Sequence, residues 1–234
     1  MKDTASASPE SLHTGPRNRR QGGGLRSGCD DESRGGAIDS DPCGALSAEP
    51  PARAILTARS RIETGRLIVR GFTMGDLDEI AQVFGDPQVM WTKPDTMTRE
   101  QTGAWLEDAL RRYSSDGMGE CAVVLRSTGR VIGDCGLVLR EIESERLPEL
   151  NWDLRRDMWG NGYATEAASG VLAHSAGLGL RSFCALIKKQ NERSGRVAAR
   201  LGMKLERRVE WEGGTWDMWV IRCDRPRSVI HGEA

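Results

Sequence analysis

Apolar and polar positions fall into two textures along the chain, and the change comes near Arg61. From there "RLIVRGF" (Arg66–Phe72) alternates as a strand does. Thr73 and Asp76 stand where a helix cap would, and Met74, Leu77, Ile80, Ala81 and Phe84 follow at helical spacing until "GDPQ" stops them. "TREQ" (Thr98–Gln101) is a capping box, and Trp105, Leu106, Ala109, Leu110 and Tyr113 form the buried stripe of a second helix. Two strands follow, Glu120–Arg126 and Val131–Arg140, joined by a turn at Ser127–Arg130. In "PELNWDL" (Pro148–Leu154), Leu150, Trp152 and Leu154 alternate with Glu149, Asn151 and Asp153, so one face is apolar and the other polar. Ala164, Ala167, Ala168, Val171 and Leu172 predict a third helix; "RSFCALIKK" predicts a strand. Asn191 opens a fourth helix, with Val197, Ala198 and Leu201 inward and Gly202 as its stop. "KLERRVEWE" and "TWDMWVIR" close the chain as a hairpin around a glycine pair. The order is β-α-α-β-β-β-α-β-α-β-β, a mixed α/β domain with one crossover after Leu154.

Before this, residues 1–58 read as an extension rich in Gly, Ser, Pro, Ala and Arg, without aromatic residues or apolar periodicity. Such a segment cannot bury enough surface to offset its ordering entropy, so it is expected to be disordered or to reflect a start placed too far upstream. The expected organisation is therefore 1–58 as extension, 59–226 as the folded domain and 227–234 as a C-terminal tail. Lys2 and seven arginines through Arg59 face eight acids, and the whole chain has a formal net charge of −1. Neither figure suggests nucleic acid as a partner. No apolar run approaches the roughly 18 residues of a membrane span, and no secretory signal is evident. Six cysteines (29, 43, 121, 135, 184 and 223) form no C-x-x-C pair, so no metal site is expected. A symmetric turn would pair Cys121 with Gly136 and leave Cys135 on the opposite face, which points to free thiols and a reducing cytoplasm. Of three histidines only His174 lies well inside the domain, with no nucleophile elbow nearby.

The chemistry concentrates in "RRDMWGNGYATEAASGVL" (Arg155–Leu172). A strand that runs through glycines into a helix presents unpaired N–H groups at the positive helix end, which suits a phosphate. Gly160 and Gly162 let backbone approach a diphosphate without a Cβ in the way. A Walker A loop would need a lysine that is absent here, and a dinucleotide fingerprint would need glycine where Thr165 stands. A diphosphate cradle and a plain tight connection both fit these glycines.

Wider context separates the two. "WGNGYATEA", with "PELNWDL" before it and "NERSGRVAARLGM" after it, resembles the Gcn5-related N-acetyltransferase (GNAT) superfamily. It is most similar to the group that includes the ribosomal-protein N-terminal acetyltransferases, and "ETGRLIVRGFTMGDLDEI" and "GRVIGDCGL" resemble that group's first strand and helix and its third strand. The resemblance spans Ile62 to Asp224. It implies a mostly antiparallel central sheet with helices on both faces and a splayed central strand pair. It implies acetyl-CoA as co-substrate, its diphosphate on the amides of Trp159, Gly160, Asn161, Gly162, Tyr163, Ala164 and Thr165. Asp157 stands where the family loop usually has Gln or Arg. The edge at Asp153, Leu154 and Arg155 would bond the pantetheine as an added strand, and Asn191 would bond it from the next helix.

Acetyl transfer to an amine needs a proton acceptor, donors for the developing oxyanion and a donor near the departing sulfur. Glu149 on the polar strand face is the first candidate base and Glu210 the second. Ser194, three residues after Asn191, is the candidate donor to sulfur. Trp159 and Tyr163 are expected to pack beside the co-substrate. The acceptor pocket is expected from Gln88–Met97 and from Trp211, Trp216 and Trp219. The acceptor would be a protein N-terminus or a small-molecule amine, the enzyme a monomer or homodimer. The alternative is a non-catalytic acyl-CoA sensor or interaction module.

Overall fold

The computed structural model describes residues 55–223. Its elements are β1 (Arg61–Glu63), β2 (Leu67–Gly71), α1 (Leu77–Phe84), α2 (Arg99–Ser115), β3 (Glu120–Leu125), β4 (Val131–Ile142), β5 (Glu145–Leu154), α3 (Tyr163–Gly177), β6 (Ser182–Ile187), α4 (Glu192–Arg200), β7 (Lys204–Trp211) and β8 (Gly214–Arg222). Local chemistry sets several boundaries. Thr98 accepts from the Gln101 amide at 3.2 Å while Gln101 Oε1 accepts from the Thr98 amide at 2.8 Å, so the capping box starts α2. Asn191 caps α4 by accepting from the Ser194 amide at 3.2 Å.

The strands form one sheet in the order β1-β2-β3-β4-β5-β6-β8-β7, antiparallel except between β5 and β6. The parallel pair follows from the β5–α3–β6 crossover, since parallel neighbours need a long connection. β5 and β6 pair only at Glu149↔Cys184 and then part. Pro148 contributes to this short ladder: by the alternation along β5 its nitrogen faces β6, and it has no N–H to offer.

Helices cover both faces. Cys121, Val123, Cys135, Leu137, Leu150 and Leu154 pack under Ala167, Ala168 and Val171 of α3. On the other face Phe72, Ala122, Val124 and Val131 pack with Ile80, Val83 and Phe84 of α1 and Leu106 of α2. Ala198 of α4 packs with Ala185 and Ile187 of β6. No helix among the described residues is long and apolar enough to cross a membrane.

Three expectations change. The three-residue β1, too short to carry a periodic signal, adds an outer strand to β2. The packed domain also reaches past the expected boundary at residue 59. Ile55 and Leu56 are 1% and 0% exposed, the Ile55 amide donates to Gly117 O at 2.6 Å, and Ile55 O lies 3.1 Å from His174 Nε2. Two apolar residues carry no periodicity, so only tertiary burial marks them. The remainder of the proposed extension, with Cys29 and Cys43, and the proposed tail at 227–234 lie outside the described residues. Finally, Cys121 lies directly opposite Cys135, not Gly136. The turn closes early, with the Gly129 amide on Leu125 O at 2.8 Å and Gly129 at φ 70°, and the register then shifts between Val123 and Val124. Both thiols are therefore on one face, buried and free.

Candidate active site

Where β5 and β6 separate, the chain encloses two adjoining cavities. The larger, of about 310 Å³, runs past the end of β5, the glycine stretch and α4. The smaller, of about 70 Å³, lies between Glu149–Asp153 of β5 and Ala185–Lys188 beyond the β6 pairing. Trp152, Asp153, Asn191 and Ser194 line both, so this is where the two meet.

The glycine stretch supplies the floor of the larger cavity. Gly160 and Gly162 have φ of 79° and 80°, a left-handed conformation that side chains resist. Gly162 directly precedes α3 and provides no side-chain cap, so the first amides of this 15-residue helix are left for a ligand. Thr165 Oγ1 is shielded from solvent yet has no hydrogen-bond partner. Open amides, an orphaned hydroxyl and open space at Gly160 are what a bound diphosphate requires. Trp159, Tyr163 and Ala164 line the same cavity. The Trp159 indole donates to Leu154 O at 2.8 Å and carries the Arg193 guanidinium over its ring at 4.4 Å. Asn161 does not line the cavity; its side-chain amide donates to Met158 O and Trp159 O, both at 3.1 Å, and so braces the loop.

The strand edge differs from the expected one. The Arg155 amide donates to Ile132 O at 2.9 Å, which spends it inside the β4–β5 ladder. By antiparallel alternation the backbone of Asp153 also faces β4, and the backbone of Trp152 and Leu154 faces the opening. Arg155 instead chelates Asp157 at 3.0 and 3.1 Å.

Of the three candidate catalytic residues, Glu149 and Ser194 reach the smaller cavity. Glu149 is 8% exposed and accepts from Arg140 Nε at 2.8 Å. Glu210 lines neither cavity: it is exposed and accepts from Thr215 Oγ1 at 2.6 Å across the β7–β8 hairpin. Its place in the sequence was compatible with the site; β7 lies at the sheet edge, beyond β8 from the opening, and that carries it away. The loop after α1 divides between the cavities, Val89 and Trp91 in the larger, Thr92 and Lys93 in the smaller. The three tryptophans divide too. Trp216 lines the smaller cavity, under the Lys188 ammonium at 4.0 Å; Trp211 packs edge-on against Trp216 at 5.7 Å. Trp219 packs toward Gly195 of α4.

Two features had no sequence signal of their own. Glu166, in the first turn of α3, accepts from Thr64 Oγ1 at 2.6 Å and from the Arg66 amide and Nε, each at 2.7 Å. Arg66 Nη1 in turn donates to Asn161 O at 3.0 Å, so β2 is pinned to the glycine loop. Second, Asp134 of β4 lies directly opposite Asp153 of β5. Burial, then the charge of Asp153, push the Asp134 carboxyl well above its usual range. Burial also raises Asp153, to about 6, against the pull of Lys93.

Comparison with known proteins agrees with this geometry. Residues 66–204 match the acetyltransferase (GNAT) domain family. The Bacillus subtilis (strain 168) protein YkkB is 31% identical over 160 residues, 66% of this chain and 91% of YkkB. The N-acetyltransferase YoaA of the same organism is 26% identical over 174 residues, 71% of this chain and 98% of YoaA. The fold matches that of RimL, the ribosomal L7/L12 α-N-protein acetyltransferase solved with coenzyme A, with a TM-score of 0.60 and 15% identity over 70% of this chain and 98% of RimL.

Proposed function

The chain belongs to the GNAT acetyltransferases, and on that footing we propose that it moves the acetyl group of acetyl-CoA to a primary amine by direct attack. The observation that supports this best is the pair of adjoining cavities, one at the uncapped start of α3 and one at the polar face of β5, that share Trp152, Asp153, Asn191 and Ser194. The amides of Gly160 to Thr165 would hold the diphosphate, and the edge at Trp152 and the Leu154 amide the pantetheine, with Asn191 across from it; the Leu154 carbonyl is taken by the Trp159 indole. Bound acetyl-CoA supplies the activated acyl group. The polar face of β5 does the rest. Glu149, held by Arg140, lines the acceptor side, where a carboxylate can accept from an approaching ammonium. A carboxylate of this face must then take the proton, since the ammonium has no lone pair. Ser194, at the junction of the cavities, donates its hydroxyl toward the sulfur.

RimL and other ribosomal-protein acetyltransferases share the fold, which supports a protein N-terminus as one acceptor class; a small-molecule amine is the other. The test is a thermal shift with acetyl-CoA, CoA and NAD, then thiol release with N-terminal peptides, amino acids, polyamines and aminoglycosides. Acetyl-CoA at about 100 times its Kd should add roughly 2.7 kcal/mol. Stabilisation by acetyl-CoA but not NAD, with thiol release on at least one amine, is the expected result. Binding without any turnover would favour the sensor reading, and no shift at millimolar ligand would sink both.

A further inference from the structure

Four carboxylates share the sheet face that carries α1 and α2: Glu120, Asp134, Glu149 and Asp153. Two of them have a cation. Arg112 pairs with Glu120 at 2.9 Å and Arg140 with Glu149 at 2.8 Å. The other two have each other. Asp134 and Asp153 are directly opposite in the β4–β5 ladder, which sets their Cβ atoms about 5 Å apart. Asp134 is 2% exposed, and its Oδ1 has no hydrogen-bond partner. An orphaned, enclosed carboxylate oxygen beside a second carboxylate calls for a shared proton, because both cannot ionise at that range.

The position matters as much as the pairing. Asp153 lines both cavities, at the junction it shares with Trp152, Asn191 and Ser194. Asn151 Oδ1, the next side chain on the same face, is also shielded and unpartnered, and Asn151 lines the smaller cavity. An acceptor amine entering there meets Asp153 and an Asn151 oxygen that no protein donor satisfies. Glu149, in contrast, is already committed to Arg140.

We propose that Asp153, backed by Asp134, is the base of the transfer and that Glu149 is a fixed charge that positions the ammonium. This rests on the amine-acetylation reading above. One proton passes from the ammonium to the Asp153 carboxylate. The freed nitrogen lone pair forms the bond to the acyl carbon, and the carbon–sulfur bond breaks with its pair on sulfur. The second proton shed by nitrogen ends on that thiolate through the Ser194 hydroxyl, and Asp153 returns its proton to solvent. The groups facing the pair are Glu120 on β3, Glu149 on β5 (itself paired with Arg140 of β4), Lys93 from the loop after α1 and, across the smaller cavity, Lys188 beyond β6. Burial sets the direction of both titrations, and Lys93 opposes it without cancelling it. Asp134, the more deeply enclosed of the two, holds the shared proton, and Asp153, which opens on both cavities, is the partner that ionises, a base poised close to the working pH.

The experiment combines two readouts on the full chain. Carboxyl carbon NMR of ¹³C-aspartate-labelled protein should show one aspartate titrating near pH 6, absent in Asp153→Asn, and a second titrating above the usual carboxylate range, absent in Asp134→Asn. With acetyl-CoA and the first amine that gives thiol release, kcat/KM should fall on the acid side with the same midpoint. Asp153→Asn should lower kcat by about 100-fold or more, abolish that limb and leave the Kd for acetyl-CoA within about threefold. Glu149→Gln should keep the limb and act mainly on KM. Turnover of Asp153→Asn within threefold of the parent, or loss of the acid limb in Glu149→Gln instead, overturns the assignment while the acetyltransferase reading stands. If Asp153→Asn does not fold, the parent spectrum decides: no aspartate titrating between pH 5 and 8 overturns it. Failure of acetyl-CoA to bind the parent chain would instead remove the underlying reading.

Discussion

Glu166→Ala removes the side chain that ties the start of β2 to the glycine loop, and its cost follows from three contacts. The carboxylate accepts from Thr64 Oγ1 at 2.6 Å and from the Arg66 amide and Nε at 2.7 Å, and it is 18% exposed. A hydrogen bond to a charged group contributes about 1.5–3 kcal/mol. Arg66 is half exposed and can rehydrate when its partner is lost, which reduces the sum. The net cost should be about 3 kcal/mol, or roughly 6–12 °C in Tm for a domain of this size. Although burial alone would raise it, the hydrogen bonds from Thr64 and Arg66 hold the Glu166 carboxyl below its ordinary range. Its contribution is therefore complete above the unfolded value of about 4.3 and disappears as pH falls through the lower folded value. Urea unfolding at pH 7 should show the full difference between parent and Glu166→Ala, and unfolding near pH 3 much less. Because Arg66 also holds Asn161 O, acetyl-CoA should bind about 3- to 10-fold more weakly. A loss below about 0.5 kcal/mol at pH 7, with unchanged acetyl-CoA affinity, would refute the idea that this clamp sets the loop.

Other predictions follow from single features. Deleting 1–58 removes the buried Ile55 and Leu56 and should cost several kcal/mol, at about 2–5 kcal/mol for each large apolar side chain lost. Glu210→Gln should leave turnover within twofold, as the carboxylate contacts Thr215 and lines neither cavity; a tenfold loss would restore it as a candidate base. The raised Asp134 and Asp153 carboxyls mean that the folded state binds more protons than the unfolded one above about pH 4. Their effect on stability is therefore unfavourable as pH rises through 6, and Asp134→Asn should gain stability relative to the parent at pH 8 but not at pH 4. An equal difference at both pH values would contradict the shared-proton pair.

Much of the fold could be read from spacing because it depends on neighbours in the chain. The capping box at Thr98–Gln101, the helical stripes of α1 and α2, and the alternation of Leu150, Trp152 and Leu154 all act within a few residues. The glycine stretch was legible for the same reason: positive φ at Gly160 and Gly162 is a local demand on residue type. The site was legible only in part. Glu149 and Ser194 could be placed on their elements, but the Arg140 partner of Glu149 comes from the neighbouring strand, and Glu210 could not be excluded without the hairpin's position. The cysteine pairing went astray because the expected turn was symmetric. An early turn at Gly129 and a shift at Val123/Val124 moved Cys135 opposite Cys121.

The sequence by itself determined the order of elements from β2 onward, the uncapped glycine entry to α3 and the polar face of β5, since backbone conformation and side-chain alternation are set over a few residues. Only the tertiary structure decided which strands lie side by side and where they part. That choice separates β5 from β6 to open the site, buries Ile55 and Leu56, and places Asp134 opposite Asp153 from 19 residues away in sequence. Electrostatic environment depends on burial and on neighbours in space, so two ordinary aspartates on adjacent strands become a proton-sharing pair only when the sheet assembles.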